Sequence, residues 1–581
     1  MRSYTDNVLQ RRRLAWLISS LAFFGVVLFG RLFSLQILSH SYYAKQASIE
    51  HIRKYEVPAR RGQLFTEDSG ILAPLALNQS LKILYADPRF VTDKAGTAKK
   101  LAAITGGDVA KYQQRLENGI EYAVLDERLN SDQAGRVTQL NLLGIGLANR
   151  DYRVYPEGSL AAQVLGFVNA DGIGQYGIEG YLNDDLNGTP GQLSAKTDTH
   201  GIPIQTANNT IKAPIDGKSY VLTIDRNIQA EVEKDIAAQV QKVHAKSGSA
   251  IVLDPSTGKV MAMANFPSFD PNNYSKVSDY NVFQNQVVSN AFEPGSGIKV
   301  FTMATGLDKG VVTPDSTYDD PFCLKIDDRS VCDAAGDKPG KNKTMTVVLR
   351  DSLNTGVIHV LELLGGDANK VTLAGKKILF DYFTKHFGFG VRTGIEQAGE
   401  GRGSIQPAST NNVTYATTSF GQGMTATMIQ MTAAMASIAN GGTLYQPQLI
   451  EGSINEIGKI DRLAPKVVNT HVVSPKAAQD LNQMLQVVVQ HGSGYTAYDP
   501  HYKIAGKTGT AQIPRSDGKG YIEGANIGSF VGFAPADKPR FVLMVAINQP
   551  EVDGYAEFTT VPVFSTITQW LLKYYSIPPS S

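Results

Sequence analysis

From Leu14 to Gly30 the chain runs 17 residues without a charge, LAWLISSLAFFGVVLFG, and apolar character resumes after Arg31 as LFSLQIL. A run of this kind fits a membrane span, a buried core helix or a cleaved signal peptide. As a helix it spans about 25 Å, slightly short of a hydrocarbon core, and Arg31 near its end can snorkel and lengthen it. A signal h-region is shorter, about 7–15 residues, and ends in a small-x-small site. Bulky LFSLQIL follows here, so residues 14–38 are predicted to be an uncleaved transmembrane anchor. Arg2, Arg11, Arg12 and Arg13 precede the run against Asp6 alone, which predicts a cytoplasmic tail over residues 1–13 and an extracytoplasmic remainder.

That remainder is long. At about 150 residues per domain, 581 residues make three to four units. Lys+Arg 55 against Asp+Glu 54 leaves a net charge of +1 without long basic blocks, so nucleic-acid capture is excluded as a main function. Two cysteines rule out a disulfide scaffold and a Cys-ligated structural zinc, and the 9 histidines show no ligand-spaced cluster, so no metal or cofactor is expected. Cys323 and Cys332 flank LKIDDRSV symmetrically about Asp327-Asp328. A two-residue loop pairs Ile326 with Arg329, Lys325 with Ser330, Leu324 with Val331 and Cys323 with Cys332, the last at a non-hydrogen-bonded position within disulfide range. The alternatives are a local disulfide and two unpaired thiols.

Residues 39–215 read as a mixed, Gly-punctuated region without a catalytic signature, with helical stretches near 98–104 and 131–140. Beyond them, a short strand (220–223) leads into a helix (226–243) and a hairpin, SAIVLD and KVMAMA around Pro255-Ser256-Thr257-Gly258. The C-terminal part returns to strands, HYKIAGKTGTAQI, SFVGFAPA and RFVLMVAINQ, and then a helix near 563–575. An antiparallel sheet with strands from both ends of a domain and a mainly helical middle (296–440) predicts an α+β sandwich.

Three short patterns carry chemistry, and each is weak alone. S-x-x-K occurs at Ser256, Ser296 and Ser516, S-x-N at Ser352, Ser409 and Ser453, and K-[TS]-G at Lys246 and Lys507. Ser-Lys catalysis needs the serine at a helix start with the lysine one turn on. Ser256 lies in a turn and Ser516 in the loop RSDGKG, whereas Ser296 opens GIKVFTMATGL, a helix apolar on nearly every side and so expected to be central. Burial disfavours a charged Lys299 and suits a general base, and the helix N-terminus favours negative charge developing at Ser296. A serine N-cap with an incidental lysine is the alternative. Order chooses among the rest: Ser352-Leu353-Asn354 lies 56 residues after Ser296, and Lys507-Thr508-Gly509 a further 155 on, within a strand whose glycine admits a substrate backbone.

S-x-x-K, S-x-N and K-T-G in this order resemble the penicillin-binding protein and serine β-lactamase superfamily. FEPGS, FGQGMTATMIQMTAAMASIANGG, LDPSTGKVMAM and GKTGTAQ resemble the transpeptidase domain of a class B penicillin-binding protein, and ARRGQLF, YRVYPEGSLAAQVLGFV and YGIEGYLNDDLNGTPG its membrane-proximal pedestal. The resemblance implies a dimerisation-type pedestal over 39–215 and a transpeptidase domain over 216–581, and no stretch between anchor and pedestal is long enough for a glycosyltransferase domain.

Carried onto this sequence, it implies that Ser296 is acylated, Lys299 is its base and Ser352 relays a proton. Asn354 would hold the substrate amide and Lys507 supply positive potential, while Thr508 and Thr510, beside Gly509, bind the substrate carboxylate. The backbone N–H groups of Ser296 and Thr510 would form the oxyanion hole. Gly297 departs from the family pattern, at about 1 kcal/mol of helix propensity relative to alanine.

The expected activity is D,D-transpeptidation of peptidoglycan stem peptides ending in D-alanyl-D-alanine, inhibited covalently by β-lactams. The other readings are a D,D-carboxypeptidase or β-lactamase of the same superfamily and an inactive scaffold or β-lactam sensor. The implied partner is a multispanning SEDS-type glycan polymerase with other divisome or wall-synthesis membrane proteins. Within that resemblance, the single-anchor layout without appended C-terminal modules looks more like the division-septum enzyme than the elongation one.

Overall fold

The uncharged run lies within one helix, Arg2–Phe33, extended by a π turn over Ser34–Leu38. Leu9–Leu38 has mean hydropathy 2.0 and none of it is buried, and among the described residues it is the one helix long and apolar enough to cross a membrane. The structure is a computed structural model that describes residues 2–43, 45, 52–118, 122–196, 210–334, 337–515, 520–552 and 555–580. The chain divides into two units, Met1–Arg61 with Asn187–Gly217, and Gly62–Leu186 with Lys218–Ser581. Besides the apolar helix, the first unit holds an antiparallel sheet in which Gly191–Lys196 lies between Ile52–Val57 and Thr210–Lys212.

Two large sheets organise the second unit. In one, the long strand Ile71–Ala86 pairs with Leu64–Asp68, Ala123–Leu129 and, over ten residues, Ile145–Val154. Ser219–Leu222 joins it, parallel to Leu64–Asp68 and antiparallel to Ile450–Ile454. Helices Lys94–Thr105 and Ser131–Gln139 lie where the sequence predicts them.

The other sheet is the predicted sandwich. Its antiparallel order is Val260–Phe266, Ser247–Leu253, Phe541–Asn548, Tyr521–Ala534, Ala505–Pro514, so the strands come from both ends of the segment. Period-two alternation sorts the side chains of its central strands. Ala250, Val252, Leu543 and Val545 pack with Ile228, Val232 and Ile236 of helix Arg226–Lys242 and with Phe564, Ile567 and Leu571 of helix Val561–Tyr574. Ile251, Leu253, Val542 and Met544 face the opposite way, into the cluster that holds Val300, Met303 and Met431. Lys507 lies on the sheet's edge strand, Ala505–Pro514.

The middle segment is mainly helical, with strands over 317–344 and the two-residue strand Ala426–Thr427, which pairs with Ala291–Phe292. Thr317–Asp320 pairs with Gly340–Thr344, and between them Cys323–Ile326 pairs with Arg329–Cys332 in the predicted register. Asp327 takes the turn at φ 50°, and Cys323 and Cys332 form a disulfide with Cα atoms 4.0 Å apart. Intact mass after alkylation is therefore expected to show no added group without reductant and two after reduction. Alkylation of both cysteines in the unreduced, folded protein would contradict the pairing.

Candidate active site

Ser296 lies in a 3₁₀ turn, Gly295–Ile298, and the α-helix Lys299–Asp308 starts at the lysine. This differs from the expectation of a helix opening at the serine, but a 3₁₀ turn stacks i on i+3 and so keeps the two residues on one side. Of the residues from Phe292 to Gly306, Ser296 alone is not buried. The turn is pressed between two other segments. Gly295 has φ 53° and donates its N–H to Gly421 O at 3.1 Å, and a Cβ on it would meet Thr510 O at 2.4 Å. The backbones of Ser296 and Thr510 thus come to one place.

Lys299 is fully buried, and its Nζ donates to the carbonyl oxygen of Ser352 and to Ser352 Oγ at 3.3 Å. Among the described residues no hydrogen bond joins it to Ser296. Ser352 sits between helices Met345–Arg350 and Asn354–Leu364 with φ 59°, a left-handed conformation that costs a serine roughly 1–2 kcal/mol. Lys507 reaches the same hydroxyl from its strand, at 3.0 Å, and also bonds Thr508 Oγ1 at 3.1 Å. It too is fully buried. Burial pushes the Lys299 amine well below its ordinary value and the charge of Lys507 adds to the shift, against Asp333 and Asp337. Burial lowers Lys507 to about 7, against the opposing charge of Glu557.

Asn354 donates its Nδ2 to Cys332 O at 2.8 Å, which ties the S-x-N segment to the disulfide hairpin. Gly509 has a reason the sequence does not give: a Cβ there would stand 2.5 Å from Ser529 Oγ and 2.7 Å from Pro294 O, so the segment carrying Ser296 is what demands a glycine. At Gly297 a Cβ would meet only the Met431 methyl, at 3.2 Å, and the residue precedes the α-helix, so the helix-propensity cost expected for it does not apply in full. Partly exposed Ser296, Ser352, Asn354 and Thr510 thus accompany buried Lys299, Lys507 and Thr508. A buried amine that sheds its proton readily, beside an accessible serine hydroxyl, is the arrangement of a base with its nucleophile.

The competing motif occurrences have other partners. Ser256 Oγ donates to Asp254 Oδ1 at 2.6 Å, and Lys259 pairs with Glu451 at 2.7 Å. Asn411 caps helix Asn412–Thr418, Asn455 accepts turn N–H groups from Ile457 and Lys459, and 516–519 lie outside the described residues. Two features escape motif reading. Ser493 Oγ lies 2.6 Å from Thr508 Oγ1. Buried Glu293, in FEPGS, accepts from Gly423 N at 2.9 Å and from Tyr521 Oη at 3.1 Å, joining the turn before Ser296 to two neighbouring segments. Burial and Glu293 together push Tyr521 up to about 12.

Comparison with known proteins places the chain in a family. The penicillin binding protein transpeptidase domain matches residues 248–569, and the penicillin-binding protein dimerisation domain residues 56–222. Stage V sporulation protein D of Bacillus subtilis (strain 168) is 32% identical over 99% of this chain and 87% of its own length. Peptidoglycan D,D-transpeptidase FtsI of Escherichia coli (strain K12) is 31% identical over 95% of this chain and 90% of its own. The crystal structure of penicillin binding protein 3 from Mycobacterium tuberculosis, complexed with aztreonam, superposes with TM-score 0.69 at 27% identity, covering 91% of this chain and 98% of that one. With one domain matched over more than half its length and relatives above 30% identity along nearly all of it, the chain belongs to the penicillin-binding proteins with a transpeptidase domain.

Proposed function

We propose that this chain is a division-type peptidoglycan D,D-transpeptidase that works through a serine acyl-enzyme. The observation that carries the reading is the convergence of two buried lysines on Ser352 beside the accessible Ser296. Ser296 Oγ attacks the penultimate D-alanine carbonyl, and Lys299, neutral through burial, takes the hydroxyl proton. The developing oxyanion is held by the backbone N–H groups of Ser296 and Thr510. Ser352 passes a proton to the departing nitrogen, the C–N bond breaks and terminal D-alanine leaves. An amine from a neighbouring stem then attacks the ester carbonyl, Lys299 carries the amine proton to Ser296 Oγ, and the C–O bond breaks to free the serine. Asn354 holds the donor's amide, and Lys507 with Thr508 and Thr510, alongside Gly509, receives its carboxylate. β-Lactams enter by the same first step and stay bound as the ester.

The layout suits polymer built at a membrane. Residues 14–38 anchor the chain, the four arginines before them hold residues 1–13 in the cytoplasm, 39–215 form the pedestal and 216–581 the transpeptidase domain. A SEDS-type glycan polymerase and other divisome membrane proteins are the partners this arrangement fits.

Given a stem pentapeptide donor and an amine acceptor, the protein is expected to release D-alanine and form cross-linked product, and Lys299→Ala to cut the rate by about 10²–10⁴-fold. Release of D-alanine with hydrolysed product alone would contradict transpeptidation. The pH profile adds a second test. Lys299, repelled by Lys507, sheds its proton first, so acylation rises with pH over that titration and falls as Lys507 loses its charge near 7. Lys507→Arg keeps that charge and is expected to move the falling limb to higher pH. An unmoved limb would contradict the assignment.

A further inference from the structure

Thr355, the residue after Asn354, is fully buried, and its hydroxyl oxygen has three oxygen neighbours: Tyr318 Oη at 3.2 Å, Asp320 Oδ1 at 3.0 Å and Asp333 Oδ2 at 2.8 Å. Both aspartates are nearly buried, at 4% and 7% exposure. A threonine hydroxyl has one proton and two lone pairs. It can donate to one carboxylate and accept from Tyr318, but the second carboxylate then faces it with no proton between them, an arrangement that is costly without water. All three contacts are satisfied when one of the acids carries a proton.

The surroundings decide which acid that is. Lys343 Nζ donates to Asp320 Oδ2 at 2.6 Å and Phe322 N to Asp320 Oδ1 at 2.7 Å, so Asp320 stays ionised. Although burial raises it, these bonds hold its carboxyl below the usual range. Among the described residues the groups that donate to Asp333 are Thr355 Oγ1 and the neutral N–H of Thr355, at 2.9 Å on Oδ1, and its carboxyl also lies in side-chain hydrogen-bonding range of Asp320, which favours a proton on Asp333. Burial pushes it up, with the charge of Asp320 adding to the shift against the Thr355 bonds. The other titratable groups around it are Tyr318 and Lys343 from the flanking strands, Lys299 from its helix, Asp337, and His359, which stacks on Tyr318 at 5.6 Å. Asp333 is itself fixed: it follows disulfide-bonded Cys332, whose carbonyl holds Asn354, and its N–H donates to Phe322 O at 2.9 Å. Residues 332 and 333 therefore grip residues 354 and 355 in turn.

We propose that Asp333 is a positioning residue of the active site, a neutral carboxylic acid sharing a proton with Asp320 through Thr355. It fixes the start of helix Asn354–Leu364, and with it Asn354 and Ser352, and removes one negative charge from the groups that act on Lys299. The inference rests on the roles proposed above for Ser352, Asn354 and Lys299.

Asp333→Asn imitates the neutral acid, since its Oδ1 accepts the Thr355 N–H and its Nδ2 donates where the acid proton did. With the full chain, acylation by a fluorescent penicillin at neutral pH is expected to stay within about threefold of wild type in Asp333→Asn and to fall about tenfold or more in Asp333→Ala. The infrared difference between wild type and Asp333→Asn should contain the C=O stretch of a neutral carboxylic acid. Stability gives the matching sign: a raised acid contributes stability below its unfolded value and loses it as pH rises through the folded one. Asp333→Asn should therefore gain in Tm on wild type as pH increases. Absence of the neutral-acid band, or an Asp333→Asn variant as slow as Asp333→Ala, would overturn the proposal. A wild type that is never acylated would overturn the proposed function instead, and the infrared measurement would still decide the proton.

Discussion

Two lysine amines buried to zero exposure meet at one serine hydroxyl, and the active-site half of the molecule is arranged around that meeting. Burying two ammonium groups side by side is untenable, since desolvation and mutual repulsion both disfavour the charged forms. The relief is for one amine to give up its proton while the other keeps a partial hold on its own. The charge of Lys507 adds to the effect of burial at Lys299, so Lys299 is the amine that the site drives toward neutrality. A neutral amine in a dry site can act as a base at physiological pH, which is the role proposed above for Lys299.

The fold's task is to bring three distant segments to that point and hold them there. The turn with Ser296, the strand with Lys507 and the segment around Gly421 touch backbone to backbone, which explains glycines at 295, 421 and 509. The five-stranded sheet, packed on both faces, gives the Lys507 strand its rigidity. Ser352 is held differently, by a left-handed backbone and by neighbours anchored to the disulfide hairpin. That hairpin therefore supports the S-x-N segment as well as closing a short loop.

Much of this was legible in the chain. Alternation in SAIVLD, KVMAMA and RFVLMVAINQ is a local signal of period two, and the sheet follows it. The symmetry about Asp327-Asp328 gave the hairpin register because strand pairing across a two-residue loop is fixed by counting outward. Local context separated Ser296 from Ser256, because a Pro-Ser-Thr-Gly turn differs in sequence from a segment that runs into an apolar helix, and motif order then chose Ser352 and Lys507. What was not legible depends on long-range contact. Ser219–Leu222 runs parallel to Leu64–Asp68, and parallel pairing leaves no turn to read. Lys299 bonds Ser352 rather than Ser296, and Ser493, Glu293 and Asp333 gain their roles from partners far away in sequence, so no spacing within the chain marks them.

The most direct test of the central claim is where a β-lactam becomes attached. Peptide mapping by mass spectrometry of the penicillin-treated full chain is predicted to place one covalent adduct on the peptide containing Ser296, as an ester on that serine. An adduct on another residue, with Ser296 unmodified in the folded protein, would contradict the account.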